Sequence, residues 1–293
     1  MDAEEINRLK KTAEEYILAK KYLHAAQIYH RLLDETNSMD FKFRLAEIYL
    51  HIGFTEASDK YYVSVLEDFP DNDEMRMEIS SLLIQSRNWE KLIEVLSLVD
   101  SDKKTEADFI LGFAYLKTKD YKLSKHYLEK FIKSDNNPEL KVEAGYYLGV
   151  VNYFENNFEE AIKRFKESEF HHNNNADFYF YLASSYRMLG MFTHASLYIT
   201  KALRLNKKKP DILLEAAKIY NKLEQYKKSN KYLDIYSEVS KRVPNDYLLT
   251  LAETYLGLKH IKEAEMVISL IDEDESDNPE VIAIKSRIQQ SLK

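Results

Sequence analysis

The sequence predicts an all-α chain in which one helical hairpin is repeated from end to end, and three observations carry that prediction. A fixed spacing of large, small, aromatic and small residues in Leu148-Gly149, Phe158 and Ala161 returns 34 residues later as Leu182-Ala183, Phe192 and Ala195, with Phe165 and Ala202-Leu203 closing the two copies. Periods of this length are the signature of helical arrays. Only 6 Gly and 5 Pro occur in 293 residues, too few to punctuate a fold of strands and turns. Apolar residues at 45% and charged residues at 31% can fill a continuous core beneath a solvated surface.

Taken in order, the spacing fits eight registers. The first helix of each is marked by Ala13, Ala46, Ser80, Gly112, Gly149, Ala183, Ala217 and Ala252. The second is marked by Ala25, Ser58, Leu92, Ser124, Ala161, Ala195, Ser229 and Ala264. Small residues are needed where two helices cross at a short interaxial distance; Leu92 departs from that rule. A tyrosine three residues after the first marker appears as Tyr16, Tyr49, Tyr115, Tyr186, Tyr220 and Tyr255, and an aromatic before the second as Tyr22, Trp89, Tyr121, Phe158, Phe192 and Tyr226. Pro70, Pro138, Pro210, Pro244 and Pro279 fall at the junctions, where a missing N–H and a fixed φ stop one helix or open the next.

The expected layout is a single array over 1–293, with repeats at 6–38, 39–72, 73–104, 105–141, 142–175, 176–209, 210–244 and 245–278, and a capping helix over 279–293. The third repeat is the least faithful: Ser80, Leu83, Trp89 and Leu92 fill its pattern, but its closing loop, Val99 to Asp102, has no proline, and irregular packing is expected there. A longer connection spans 133–141. Asp272 to Ser276 reads as an acidic turn before the last helix, whose Lys285, Arg287, Gln289 and Gln290 suggest the polar face that the end of a stack requires. The alternative is the start of a ninth repeat, cut short.

With Leu-Gly, Tyr, Ala, aromatic, Ala and Pro in register across essentially the whole chain, the sequence resembles the tetratricopeptide repeat (TPR) family. The resemblance implies a right-handed superhelical solenoid whose concave groove is lined by the first helix of each pair, at positions three and two before the small residue and one, four and five after it. Those positions hold Phe109 and Phe113 in the fourth repeat, Tyr146, Tyr147, Val150, Tyr153 and Phe154 in the fifth, and Phe180, Tyr181, Ser184, Arg187 and Met188 in the sixth. The aromatics among these, with Arg187, are the candidate peptide-binding residues, since exposed apolar patches rimmed by polar groups mark interaction surfaces. The competing reading is that a tight twist buries the same rings between adjacent first helices.

The residue six before each first marker is Asn7, Asp40, Glu74, Glu106, Glu143, Asp177, Asp211 or Asp246. Carboxylates are favoured in the first turn of a helix by its dipole; at a groove edge they would also favour a basic-hydrophobic partner. The family's clamp for a chaperone C-terminal carboxylate needs Lys, Asn, Asn, Lys and Arg, whereas the corresponding positions in the first three repeats include Glu14, Arg44, Glu74 and Glu78. That clamp is therefore not expected.

A net charge of −7 and an isoelectric point near 5.7 argue against general binding to nucleic acid, and the Lys207-Lys208-Lys209 run reads as a solvated loop. No stretch is apolar enough to span a bilayer, and MDAEEINRLKK has no signal-like apolar core. Zero cysteines removes thiolate chemistry and fits a cytoplasmic location, or a periplasmic one if a signal peptide has been removed. His171-His172 lacks a carboxylate at helical spacing for a metal, and no phosphate loop or nucleophile motif occurs. The expectation is a scaffold without catalysis or cofactor, binding a protein or peptide partner. The alternatives are a homo-oligomeric structural element and a regulatory arm of a secretion or envelope assembly.

Overall fold

A computed structural model describes residues 1–100, 104–134, 137–271 and 277–291. Ser101, Asp102 and the acidic run Asp272 to Ser276 lie outside them. Among the described residues every regular element is a helix. In order they are α1 (Ala3–Leu18), α2 (Tyr22–Thr36), α3 (Met39–His51), α4 (Thr55–Asp68), α5 (Asp73–Ser86), α6 (Trp89–Leu96), α7 (Glu106–Lys117), α8 (Tyr121–Lys133) and α9 (Pro138–Phe154). They continue with α10 (Phe158–Ser168), α11 (Ala176–Met188), α12 (Phe192–Leu205), α13 (Pro210–Lys222), α14 (Tyr226–Val239), α15 (Asn245–Gly257), α16 (Ile261–Ile268) and α17 (Pro279–Ser291). The chain divides into two compact units, Met1–Ala144 and Gly145–Lys293.

In unit 1 each helix from α1 to α8 packs on the next. The small markers sit at the crossings. A Cβ on Gly112 would lie 2.6 Å from Leu128 Cγ, so any larger residue would push α7 and α8 apart. Serine serves at the second marker because it also donates across the crossing: Ser58 Oγ to the Ala46 carbonyl at 2.8 Å, and Ser124 Oγ to the Gly112 carbonyl at 2.7 Å. The third pair differs. Its second helix, α6, has 8 residues, and Leu92 is fully buried with Leu83, Val95 and Leu96, so the oversized marker is absorbed into the core.

In unit 2 the helices from α10 to α17 also pack in sequence, while α11, α13, α15 and α17 touch one another side by side and make one wall. The Gly149 marker of α9 meets Phe165 of α10, whose Cε1 would lie 2.6 Å from an added Cβ.

One device recurs in the turn inside every hairpin. Seven residues after the first marker the backbone enters the left-handed region, at Lys20, Gly53, Arg87, Lys119, Asn156, Gly190, Glu224 and Lys259, with φ from 57° to 85°. The next N–H then reaches back to the carbonyl three residues after the marker, as in Phe54 to Tyr49 (2.8 Å), Met191 to Tyr186 (2.9 Å) and His260 to Tyr255 (2.9 Å). This Schellman closure satisfies carbonyls left over at the end of the first helix and aims the second one. In four hairpins the tyrosine at that closure stacks on a tyrosine 12 residues later: Tyr49 on Tyr61, Tyr115 on Tyr127, Tyr186 on Tyr198 and Tyr220 on Tyr232, with ring centroids 5.5–5.9 Å apart.

Candidate functional site

The sequence-derived candidates fall in both units. In unit 1, Phe109 and Phe113 are half-buried on α7. Phe109 lies 5.4 Å from Phe131; Phe113 meets Trp89 edge-on at 5.6 Å, with Lys117 Nζ 4.8 Å from its ring.

In unit 2, Tyr146 is only 7% exposed, its ring 4.7 Å from His172, 5.9 Å from Phe178 and 6.1 Å from Phe165. Val150 is buried as well. These two side chains build the interior and present no open face, because the side of α9 that carries them is closed by α10 and α11. Tyr147, Tyr153, Phe180 and Tyr181 are half-buried, and Phe154 and Met188 are exposed. Tyr181 lies between Tyr153 (5.3 Å), Phe154 (5.9 Å) and Phe180 (5.2 Å), so these rings form one cluster. Burial pushes the Tyr153 phenol above its ordinary value, reinforced by the charge of Glu215 and offset in part by Ser184 and Arg187. Arg187 bonds through Nε to the buried Glu215 at 2.6 Å, so its charge is already matched from below.

Beside Arg187 and Met188, the wall of odd-numbered helices encloses a concave pocket of ≈ 410 Å³. Lys218 and Lys222 come from α13, Asp246, Leu249, Thr250 and Glu253 from α15, and Glu280, Ala283, Ile284 and Arg287 from α17. Its rim is framed by ion pairs: Lys218 with Asp246, Lys222 with Glu253 at 3.1 Å, and Arg287 with Glu253 at 4.0 Å. A buried polar relay fixes the helices behind it. Asn221 donates to the Thr250 carbonyl and accepts from Thr254 Oγ1, each at 3.0 Å, and Ser229 Oγ lies 2.9 Å from Thr254 Oγ1.

Of the pocket residues on α13, α15 and α17, the sequence patterns single out Asp246, as a groove-edge carboxylate, and Arg287, on the polar face of the last helix, but neither as a binding residue. The signal was present: Lys218 and Lys222 stand one and five after Ala217, and Leu249, Thr250 and Glu253 stand three before, two before and one after Ala252. These positions hold charged, polar and aliphatic side chains, so no aromatic pattern marks them in the sequence.

The acidic row is also less acidic than its sequence. Glu74 pairs with Lys104 at 3.2 Å, Asp177 with Lys209 at 2.5 Å, and Asp246 with Lys218. At these three positions a lysine 28 to 32 residues away in sequence balances the carboxylate, so they no longer favour a basic partner by themselves. Among the residues compared with the carboxylate clamp, Arg44 pairs with Glu47 at 3.0 Å. His172 is an interior residue against Tyr146 and Phe178, while Asn175 caps α11 by accepting from the Asp177 and Phe178 N–H groups at 2.9 and 3.1 Å. Among the described residues there is no group of three or more His, Asp or Glu able to hold a metal ion, and no helix long and apolar enough to cross a membrane.

The tetratricopeptide repeat family model matches residues 109–138. No curated protein matches the chain. Solved structures resemble it along most of its length. A tetratricopeptide repeat protein from Parabacteroides merdae is 14% identical, covers 86% of this chain and 99% of its own, and superposes with a TM-score of 0.62. The C-terminal part of a TPR repeat-containing protein from Cytophaga hutchinsonii is 17% identical over 80% of this chain and 97% of its own, with a TM-score of 0.54. PilF of Pseudomonas aeruginosa is 18% identical over 85% of this chain and 96% of its own, with a TM-score of 0.51. With one repeat matched in sequence and the stack of hairpins matched in structure, the chain has the tetratricopeptide repeat fold.

Proposed function

We propose that the chain is an interaction scaffold without catalysis, holding a segment of a partner protein along the wall of odd-numbered helices in unit 2. The supporting observation is the concave pocket between α11, α13, α15 and α17, with the exposed Met188 on its lip and the cluster of Tyr153, Phe154, Phe180 and Tyr181 in the same unit. A partially exposed apolar surface bounded by fixed charges is what peptide grooves use: rings and methyls supply buried area, and charges set register and on-rate. Because the rim pairs cations with anions, the fitting segment is apolar at its anchors and carries charges of both signs.

Tyr147 and Arg187 belong to the proposed surface as half-buried members, and Phe109 and Phe113 form a separate aromatic site on α7 of unit 1. The division into eight repeats of one array is part of the same proposal, supported by the eight left-handed turns in register among the described residues.

The test is capture of partners from native lysate by the wild-type chain and by the double variant Phe154→Ser, Met188→Lys, followed by identification of the captured proteins. Both side chains are exposed, so the melting temperature should hold while the captured set is lost. An unchanged set of partners overturns the groove; the chain capturing only copies of itself points to an oligomer.

A further inference from the structure

At the opposite kind of surface, the turn side of unit 1, three large apolar side chains stand in water: Leu18 is 84% exposed, Leu23 59% and Phe54 56%. Isolated exposed leucines are ordinary, but a contiguous group is a docking signal. Leu23 and Phe54 here belong to one socket of ≈ 340 Å³, which Lys20, Lys21, His24 and Ile52 also line. Its position follows from the repeat. Lys20 and Gly53 are the left-handed residues of the first two hairpin turns, so the chain reverses there and brings the start of α2 and the turn before α4 to one pocket. The floor is fixed by rings, with His51 4.4 Å from Tyr22 and Tyr49 6.3 Å from Phe54.

No carboxylate lines the socket, although acidic residues outnumber basic ones in the chain by 49 to 42. We infer that this socket docks a protein segment in which large apolar residues alternate with acidic ones: an apolar side chain seats between Leu23 and Phe54, and neighbouring carboxylates meet the Lys20 and Lys21 ammonium groups. Complementarity of this sort fixes register and speeds encounter.

Two other occupants fit less well. A second copy related by a twofold axis would set Lys20 and Lys21 against their own equivalents, since such an interface is the same patch twice. An anionic bilayer gains about 1 kcal/mol per lysine near its surface. Two lysines on a chain of net charge −7 make a weak membrane anchor. The socket lies in unit 1 and stands independently of the groove proposed in unit 2.

The experiment uses the full chain and a fluorescein-labelled synthetic peptide of alternating Glu and Leu or Phe, followed by anisotropy. Its Lys counterpart and vesicles containing phosphatidylglycerol serve as the other probes. Binding of the acidic peptide should fall at least about tenfold, near 1.4 kcal/mol, in Leu23→Ser and again in Lys21→Glu, and should weaken in raised salt. Both side chains are exposed, so circular dichroism and the melting temperature should stay at wild-type values. Equal binding of the acidic peptide by the variants, equal binding of the Lys peptide, or no binding of the acidic peptide each overturns the proposal. So does vesicle binding or concentration-dependent light scattering that is lost on Leu23→Ser while the acidic peptide is ignored.

Discussion

Gly145 and Gly149 stand one helical turn apart on α9 and should answer to alanine in opposite directions. A Cβ on Gly149 would sit 2.6 and 2.8 Å from the Phe165 ring, whereas one on Gly145 would meet nothing within 4 Å. Gly149→Ala is expected to destabilise by about 1–3 kcal/mol through overpacking. Gly145→Ala should stabilise by about 0.5–1 kcal/mol, because alanine loses less backbone freedom in a helix. Paired denaturant titrations check both signs. Arg187 sits over the buried Glu215 carboxylate at 2.6 Å. Arg187→Ala would strand that charge, with an expected loss of about 3–5 kcal/mol, and Arg187→Met combined with Glu215→Leu should recover most of it. Burial pushes the Glu169 carboxyl up, but hydrogen bonds from Lys166 (2.6 Å) and Lys201 (2.9 Å) outweigh it and hold the group below its ordinary value. A carboxyl with a depressed folded-state value stabilises above its unfolded value, and that contribution disappears as pH falls through the folded one. Glu169→Gln should therefore flatten the acid limb of a melting-temperature profile below about pH 4.5, and leave its neutral and basic range parallel to wild type. At this scale the small markers were legible in sequence because sterics leave few choices at a crossing. The burial of Tyr146 was not: which side of α9 faces outward depends on how α10 and α11 close over it.

Between one helix and the next, the hairpin turn is the unit that repeats most faithfully, yet it left little trace in the sequence. The backbone is left-handed at Lys20, Arg87, Lys119, Asn156, Glu224 and Lys259, and only Gly53, Gly190 and, more weakly, Asn156 advertise it. A left-handed conformation is about 1–2 kcal/mol uphill for a residue with a Cβ, and here the repeated closing hydrogen bonds overcome it. Gly190→Ala, with open space around the added methyl, should therefore destabilise by about 1 kcal/mol from backbone strain alone. Glu224→Gly should be neutral or mildly stabilising; thermal melts of the two variants, side by side, check the asymmetry. The tyrosines three residues after six of the eight markers were legible because they recur, but their role at the closure and their stacking on partners 12 residues on required the path of the chain. Asn175, inside a run of asparagines that reads as loop, caps α11 with two hydrogen bonds. Asn175→Ala is expected to remove about 1 kcal/mol, measurable as a shift in the denaturation midpoint.

Across the whole molecule, the fold was legible and the pocket was not, for one reason. Repetition multiplies a weak local signal, so eight imperfect copies identify a hairpin that a single copy would not. The pocket of unit 2 draws Arg187, Lys218, Glu253 and Arg287 from four helices spread over 100 residues, and no local pattern ties them together. Charge balance is likewise a property of the assembled wall: Asp246 reads as one more acidic residue until Lys218 is found beside it.

The edge-to-face contact between Trp89 and Phe113 gives the chain a built-in optical probe. Trp89 is the only tryptophan present, and it lies in unit 1, against one of the rings proposed to meet a partner. Excitation at the red edge of indole absorption, where the 22 tyrosines are silent, therefore reports on that neighbourhood alone. A ligand seated on Phe113 should shift the emission maximum, and Phe113→Leu should abolish the shift without quenching the indole itself.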